Sequence, residues 1–130
     1  MNLLLDTHIF VWAVTDSPRL PDGIRAALLD AGNSLLVSSA SAWEMSIKAS
    51  SGRWPAANDM LDGLDEAVTG LGATVMPIRI DHAVAAGRLA WAHRDPFDRM
   101  LAAQAIVGDV LLVTVDRAFD GSGAALLATG

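Results

Sequence analysis

At 130 residues the chain has the size of one ordinary domain, long enough to bury roughly two-thirds of its unfolded surface, and a hydrophobic content of 52% is generous for that purpose. The lack of cysteine excludes disulfides, thiolate metal ligands and thiol nucleophiles and fits a reducing cytoplasm. The net charge of −6 argues mildly against nucleic-acid binding, which normally goes with a basic surface, but the charge is unevenly spread. Asp59, Asp62, Asp65 and Glu66 gather in one expected surface helix, whereas His93, Arg94, Arg99 and Arg117 flank two acids of interest below.

The chain opens on Asn2 to Asp6 (NLLLD), a continuous apolar run closed by an acid, the pattern of a parallel strand buried on both faces. The stretch LLLDTHIFVWAV has no basic leader, is interrupted by Asp6 and His8, and is too short to span a bilayer, so no targeting segment or membrane partner is read there. A helix is predicted over His8 to Val14, and a second over Asp22 to Asp30, entered through Pro21 and closed by Gly32. Ser34 to Val37 reads as strand two. Ser38 to Ser41 offer N-caps for the helix AWEMSIKAS, which ends at Gly52, with Ser39 and Ser41 favoured as caps. Asn58 to Leu71 reads as one helix, with Leu61, Leu64, Val68 and Leu71 at spacings of three and four and Gly72 as its stop. Thr74 to Met76 is a short strand, Asp81 caps a helix from His82 to Ala90, and Asp95-Pro96 opens the helix PFDRMLAAQAIV, stopped at Gly108. The run VLLVTV from Val110 leads to Asp116, and Ala125 to Thr129 is a last, weakly marked strand. Strands alternating with helices predict a three-layer α/β/α sandwich around a central, mainly parallel sheet, folded as a single domain over 1–130.

Four acids are the candidate site: Asp6, Glu44, Asp98 and Asp116. Each has an ordinary explanation by itself. Asp6 caps the following helix, and Glu44 pairs on the surface with Lys48 four residues on. Asp98 meets the helix dipole in a first turn, and Asp116 sits in a strand-to-loop turn. Together they point elsewhere, because ligands of open α/β sheets collect outside the carboxyl ends of the strands. There Asp6 and Asp116 can be neighbours, with Glu44 and Asp98 on helices able to reach the same pocket. Two carboxylates about 4 Å apart repel by roughly 4 kcal/mol at an effective dielectric near 20, so such a cluster protonates or binds cations. Oxygen ligands without cysteine select Mg2+ or Mn2+. Bound cations would also cancel part of the negative potential. Thr7 and Thr114 share strand ends with the acids and are supporting hydroxyls. No HxxxH or HExxH spacing exists for zinc, so His8 and His82 are read as structural or surface residues. Trp12, Trp43, Trp54 and Trp91 are assigned to core or dimer packing before base stacking.

These residues carry a resemblance to the PIN-domain ribonucleases, specifically the VapC-type toxins of prokaryotic toxin–antitoxin pairs. It rests on LLDTHIFVW at Leu4 to Trp12, SSASAWEMSIK at Ser38 to Lys48, HRDPFDRMLAAQA at His93 to Ala105 and LLVTVDRAF at Leu111 to Phe119, in order and at family-like spacing over most of the chain. The resemblance implies that Asp6, Glu44, Asp98 and Asp116 form the family's acidic quartet, with Thr7 the hydroxyl after its first acid and Asp95 a helix-opening acid. It implies one or two magnesium or manganese ions, held chiefly by Asp6, Asp98 and Asp116 with Glu44 completing the cage, activating water against an RNA phosphodiester. It further implies a homodimer held inactive by a cognate antitoxin in the cytoplasm. Lys48, Arg94, Arg99 and Arg117 are candidates for phosphate contacts, with surface ion pairs as the equal alternative. The Gly-rich end DGSGAALLATG departs from the family's clearer terminal strand. A receiver-like phosphoacceptor needs adjacent acids after strand one and a late lysine, and a P-loop needs glycines there; both are missing. The alternative left open is a non-catalytic PIN-like module that binds RNA or a protein.

Overall fold

Three successive leucines in β1 (Asn2–Leu5) send their side chains alternately to opposite faces of a sheet. Leu3 and Leu5 enter one hydrophobic cluster and Leu4 the other, so β1 is buried on both sides. The computed structural model describes residues 1–128. After β1 come α1 (Thr7–Val14), α2 (Asp22–Leu29), β2 (Ser34–Ser38), α3 (Ser39–Ser50), α4 (Ala57–Asp62), α5 (Leu64–Gly70) and β3 (Ala73–Met76). Then follow α6 (Ile80–Arg88), α7 (Pro96–Gly108), β4 (Leu111–Val113) and a 3-10 turn at Arg117–Gly121. The strands lie in the order β3-β2-β1-β4 and every pairing is parallel, with Leu5 opposite Val37 on one side and Val113 on the other. Ile9 and Phe10 of α1, Ile24 of α2, Met45 of α3 and Val68 of α5 cover one face. Leu101, Ala102 and Ala105 of α7, with Phe119, cover the other. The three-layer sandwich is therefore the observed architecture, and the chain order reverses between β1 and β4, where the fold leaves its crevice. Among the described residues no helix is long and apolar enough to cross a membrane.

Several elements differ from their sequence reading. The helix predicted over Asn58 to Leu71 is two helices, broken at Gly63 (φ −126°, ψ 33°), whose amide bonds Met60 at 3.4 Å. Glycine is the weakest ordinary helix former, and the apolar stripe survives the break: Val68 is buried, and Leu61, Leu64 and Leu71 pack against the same core. The helix assigned to Asp81 as cap starts earlier, at Ile80, because the His82 Nδ1 accepts the Arg79 amide at 3.0 Å. The cap of α3 is Ser38, whose Oγ accepts the Ala40 amide at 2.9 Å; Ser39 and Ser41 are not caps. Ser39 instead accepts the Ile78 amide at 3.2 Å. Gly108 ends α7 from inside the helix, with Asp109 beyond it in the left-handed region at φ 53°; a Cβ at Gly108 would stand 3.0 Å from Met76 Cε, the mobile end of a side chain that would have to shift by a few tenths of an ångström. The strand expected from Val110 stops at Val113. The last strand is reduced to one parallel bridge, Leu112 with Leu126, and Thr129 lies outside the described residues. A segment rich in glycine and alanine offers little side-chain area to fix a longer ladder.

Candidate active site

Asp6 leaves the sheet at the tip of β1 and caps α1: its Oδ1 accepts the Thr7 amide at 2.7 Å. Its Oδ2 accepts the Thr114 hydroxyl at 2.8 Å, and the Thr114 oxygen in turn accepts the Asp116 amide at 3.0 Å. One threonine thus ties the ends of β1 and β4 together, just past the last pair of the ladder, Leu5 with Val113, where β1 gives way to α1. Asp116 caps the 3-10 turn through Oδ1, which accepts the Ala118 amide at 2.9 Å.

Glu44 is on the inner face of α3 and is 4% exposed, so its bond to Lys48, at 2.6 Å between Oε2 and Nζ, is not the surface pair expected from the spacing. The Thr7 Oγ1 lies 2.7 Å from Glu44 Oε1 and 2.8 Å from Ser41 Oγ. A carboxylate only accepts, so the single Thr7 proton goes to Glu44 and Ser41 supplies the other hydrogen. Asp98 begins α7 under the cap of Asp95, whose Oδ1 accepts the amides of Phe97 and Asp98 at 2.9 and 3.0 Å. Asp98 Oδ2 stands 2.7 Å from His93 Nε2, and the His93 ring stacks on Trp91 with centroids 4.6 Å apart. Sequence reasoning placed His93 only among the basic residues flanking the acids and gave it no role at Asp98. Its one signal was its position just before the cap that orients Asp98.

All four acids line one cleft of about 470 Å³, with His8, Trp12, Lys48, His93, Asp95 and Val115 completing its wall. His8 stacks on Trp54 at 5.0 Å and 10°. Burial pushes the Asp6 carboxyl above its usual value, against the lowering effect of the Thr114 hydroxyl and the Thr7 amide. Asp98 is pushed up to about 6, chiefly by burial, with the His93 bond opposing and the charges of Asp95, Asp6 and Glu44 adding. These are crowded carboxylates whose ionised forms call for a cation.

The oxygen-only donor set fits a hard divalent ion by its chemistry. Among the described residues, however, no three His, Asp or Glu side chains are arranged to hold one ion. The acids are turned toward the donors they have: Thr114 on Asp6, His93 on Asp98, Lys48 on Glu44.

Of the four basic residues offered for phosphate contact, Lys48 alone lines this cleft. Arg99 is engaged elsewhere. Its guanidinium directs four of its five N–H donors to the carbonyls of Ala86, Leu89, Trp91 and His93 at 2.6 to 3.1 Å, which fastens the segment between α6 and α7. Arg94 lines a separate apolar pocket with Trp43, Phe97 and Met100, and Arg117 is 93% exposed beside Asp120.

An all-parallel α/β sheet with acids gathered where its strand order reverses defines a carboxylate-cluster α/β protein. The sequence matches the PIN domain family over residues 3–122, and the chain belongs to that family. In structure it is similar to a chain of VapBC2 from Rickettsia felis, solved bound to a DNA fragment from the promoter, with a TM-score of 0.70 over 98% of both chains at 20% identity. It is also similar to DNA-bound VapBC from Salmonella typhimurium, with a TM-score of 0.68 over 98% of this chain and 97% of that one at 18% identity. FitAcB from Neisseria gonorrhoeae gives the same score, coverage and identity. At such identities the likeness speaks for the fold. A comparison with curated protein sequences finds no match.

Proposed function

We propose that the chain is a magnesium- or manganese-dependent endoribonuclease and the toxin of a toxin–antitoxin pair. The observation that carries this reading is the convergence of Asp6, Glu44, Asp98 and Asp116 on one cleft at the β1–β4 edge of a PIN domain.

Asp6, Asp98 and Asp116 are the residues that would hold the ion. A divalent cation bound there supplies a Lewis acid for water and phosphate oxygen. The chain's own groups do the positioning. Thr114 fixes the Asp6 carboxylate and the Asp116 backbone as a unit. His93, stacked on Trp91, holds one oxygen of Asp98. His8 and Trp12 form the wall beside Asp6 and narrow the approach of a polynucleotide. By resemblance to the family, cleavage leaves a 5′-phosphate and a 3′-hydroxyl.

The partner is a cognate antitoxin, and the toxin is a homodimer. The likeness to VapBC chains supports the antitoxin, and a cleft lined by carboxylates, Asp6 and Glu44 among them buried, is suited to an Arg or Lys from such a partner. Co-purification with the product of a neighbouring gene is expected; full activity in that protein's presence would count against the pairing.

The test is incubation of purified, antitoxin-free protein with structured RNAs in magnesium, manganese or EDTA, beside folded Asp6→Asn and Asp98→Asn variants. Cleavage that needs metal and disappears in both variants supports the nuclease. Metal binding without cleavage by the wild type would favour a non-catalytic module that binds RNA or a protein.

A further inference from the structure

Glu44 differs from the other three acids in being bonded to a lysine ammonium. Among the described residues, Asp98 and Asp116 each have one carboxylate oxygen that accepts no hydrogen bond. Both oxygens of Asp6 are taken by neutral donors, the Thr7 amide and the Thr114 hydroxyl. Both oxygens of Glu44 are taken as well, Oε1 by Thr7, itself braced by Ser41, and Oε2 by the Lys48 ammonium. The pair is set by α3, whose i, i+4 spacing puts both side chains on one face. Glu44 is held at the buried end, its side chain 6% exposed, while that of Lys48 is 25% exposed and faces the cleft. Lys48 is the only lysine in the chain.

We propose that Glu44 is a positioning residue rather than an ion ligand, and that it holds the Lys48 ammonium in the cleft to bind a phosphate of the RNA backbone. An ammonium has three donors, and Glu44 uses one, so two are left for phosphate oxygens. A polyanion entering a cleft of carboxylates meets repulsion that a fixed cation offsets where the dielectric is low. Pairing that cation with Glu44 adds no net charge to the three acids beside it. The quartet then divides into an ion-holding set of Asp6, Asp98 and Asp116 and a Glu44–Lys48 arm. The phosphate role rests on the ribonuclease reading above; the division of the acids does not.

Two measurements on the full chain test this. The first is calorimetric titration of metal-free protein with Mn2+ alone. The double variant Glu44→Gln/Lys48→Met removes the pair without changing net charge and should keep Mn2+ affinity within about threefold, whereas Asp98→Asn should lose more than about tenfold, the scale of a lost ligand or its support. A double variant as weak as Asp98→Asn makes Glu44 a ligand and overturns the division. The second is binding of single-stranded RNA in EDTA as a function of salt. Lys48→Met should reduce the slope of log affinity against log salt by about 0.7, one phosphate contact on a single strand, and Lys48→Arg should restore it. An unchanged slope in an RNA-binding protein overturns the phosphate role alone, as does a wild type that binds no RNA in EDTA but binds it with Mn2+; no RNA binding under either condition overturns that role and the ribonuclease reading together. Should Lys48→Met fail to fold, reductive 13C-methylation of the wild type labels Lys48 and the N-terminus only. The Lys48 resonance must then move on adding RNA, and a resonance that stays put refutes the contact.

Discussion

Replacing Asp98 by Asn tests the crowding of the cleft directly. In the folded chain the Asp98 carboxyl is raised from 3.8 to about 6, which at 1.36 kcal/mol per decade corresponds to about 3 kcal/mol between its two protonation states. Solvent in the open cleft screens part of this, so about 1–3 kcal/mol is the working range. The folded protein holds the proton more tightly than the unfolded chain. Folding therefore takes up a proton between 3.8 and about 6, and stability falls as pH rises through that window. At neutral pH in EDTA the neutral Asp98→Asn variant, which keeps an acceptor for His93 Nε2, should be the more stable protein by that amount. For a domain of this size the gain appears as roughly 3–5 °C in Tm per kcal/mol. The advantage should vanish below 3.8, where the wild-type carboxyl is protonated in both states. Millimolar magnesium should reverse the order at neutral pH by stabilising the wild type through mass action and the variant far less. Thermal unfolding of both proteins across pH, with EDTA and with magnesium, is the assay. An Asn variant less stable than wild type at neutral pH without metal, or a difference that does not change with pH, would refute the electrostatic account of the cleft.

Removing Arg99 should be costly without touching nucleic-acid binding. Arg99→Ala strips donors from four carbonyls and should lower stability in urea by about 2–4 kcal/mol, given roughly 1.5–3 kcal/mol for a bond to a charged group and partial rescue by water; a loss below about 1 kcal/mol would mean that segment is held by something else. Gly63→Ala should go the other way. A Cβ there meets nothing nearer than Glu66 Oε2 at 3.9 Å and the backbone φ is negative, so a gain of about 0.5–1 kcal/mol with more helical circular dichroism is expected, and destabilisation would show that the break between α4 and α5 is required. Thr7→Val leaves buried Glu44 short of one donor and should cost about 1–3 kcal/mol, read by chemical denaturation; a neutral result would mean the hydroxyl does not join α1 to α3.

The sequence by itself determined the layers and the acids. Continuous apolar runs such as NLLLD can only be satisfied between two helical layers, and helix signals as local as Pro21, Asp95-Pro96 and Gly52 act within a turn of where they stand. The four acids were legible because strand tips and helix starts have sequence signatures, and the parallel sheet brings those ends to one edge. What each polar side chain touches was decided only by tertiary structure. Spacing made Lys48 a partner of Glu44, but whether that pair faces water or a cleft depends on how α3 is rotated against the sheet, which Met45 and Ala49 fix by packing in the core. Arg99 reads as a free cation in sequence, and four carbonyls from the end of α6 and the segment leading to α7 engage it. His93 gains its place from Asp98 and Trp91 together. Local propensity acts over a few residues, while burial and hydrogen-bond partnership depend on how whole elements pack, so the convergence of the four acids could be read before folding and the partners of each side chain could not.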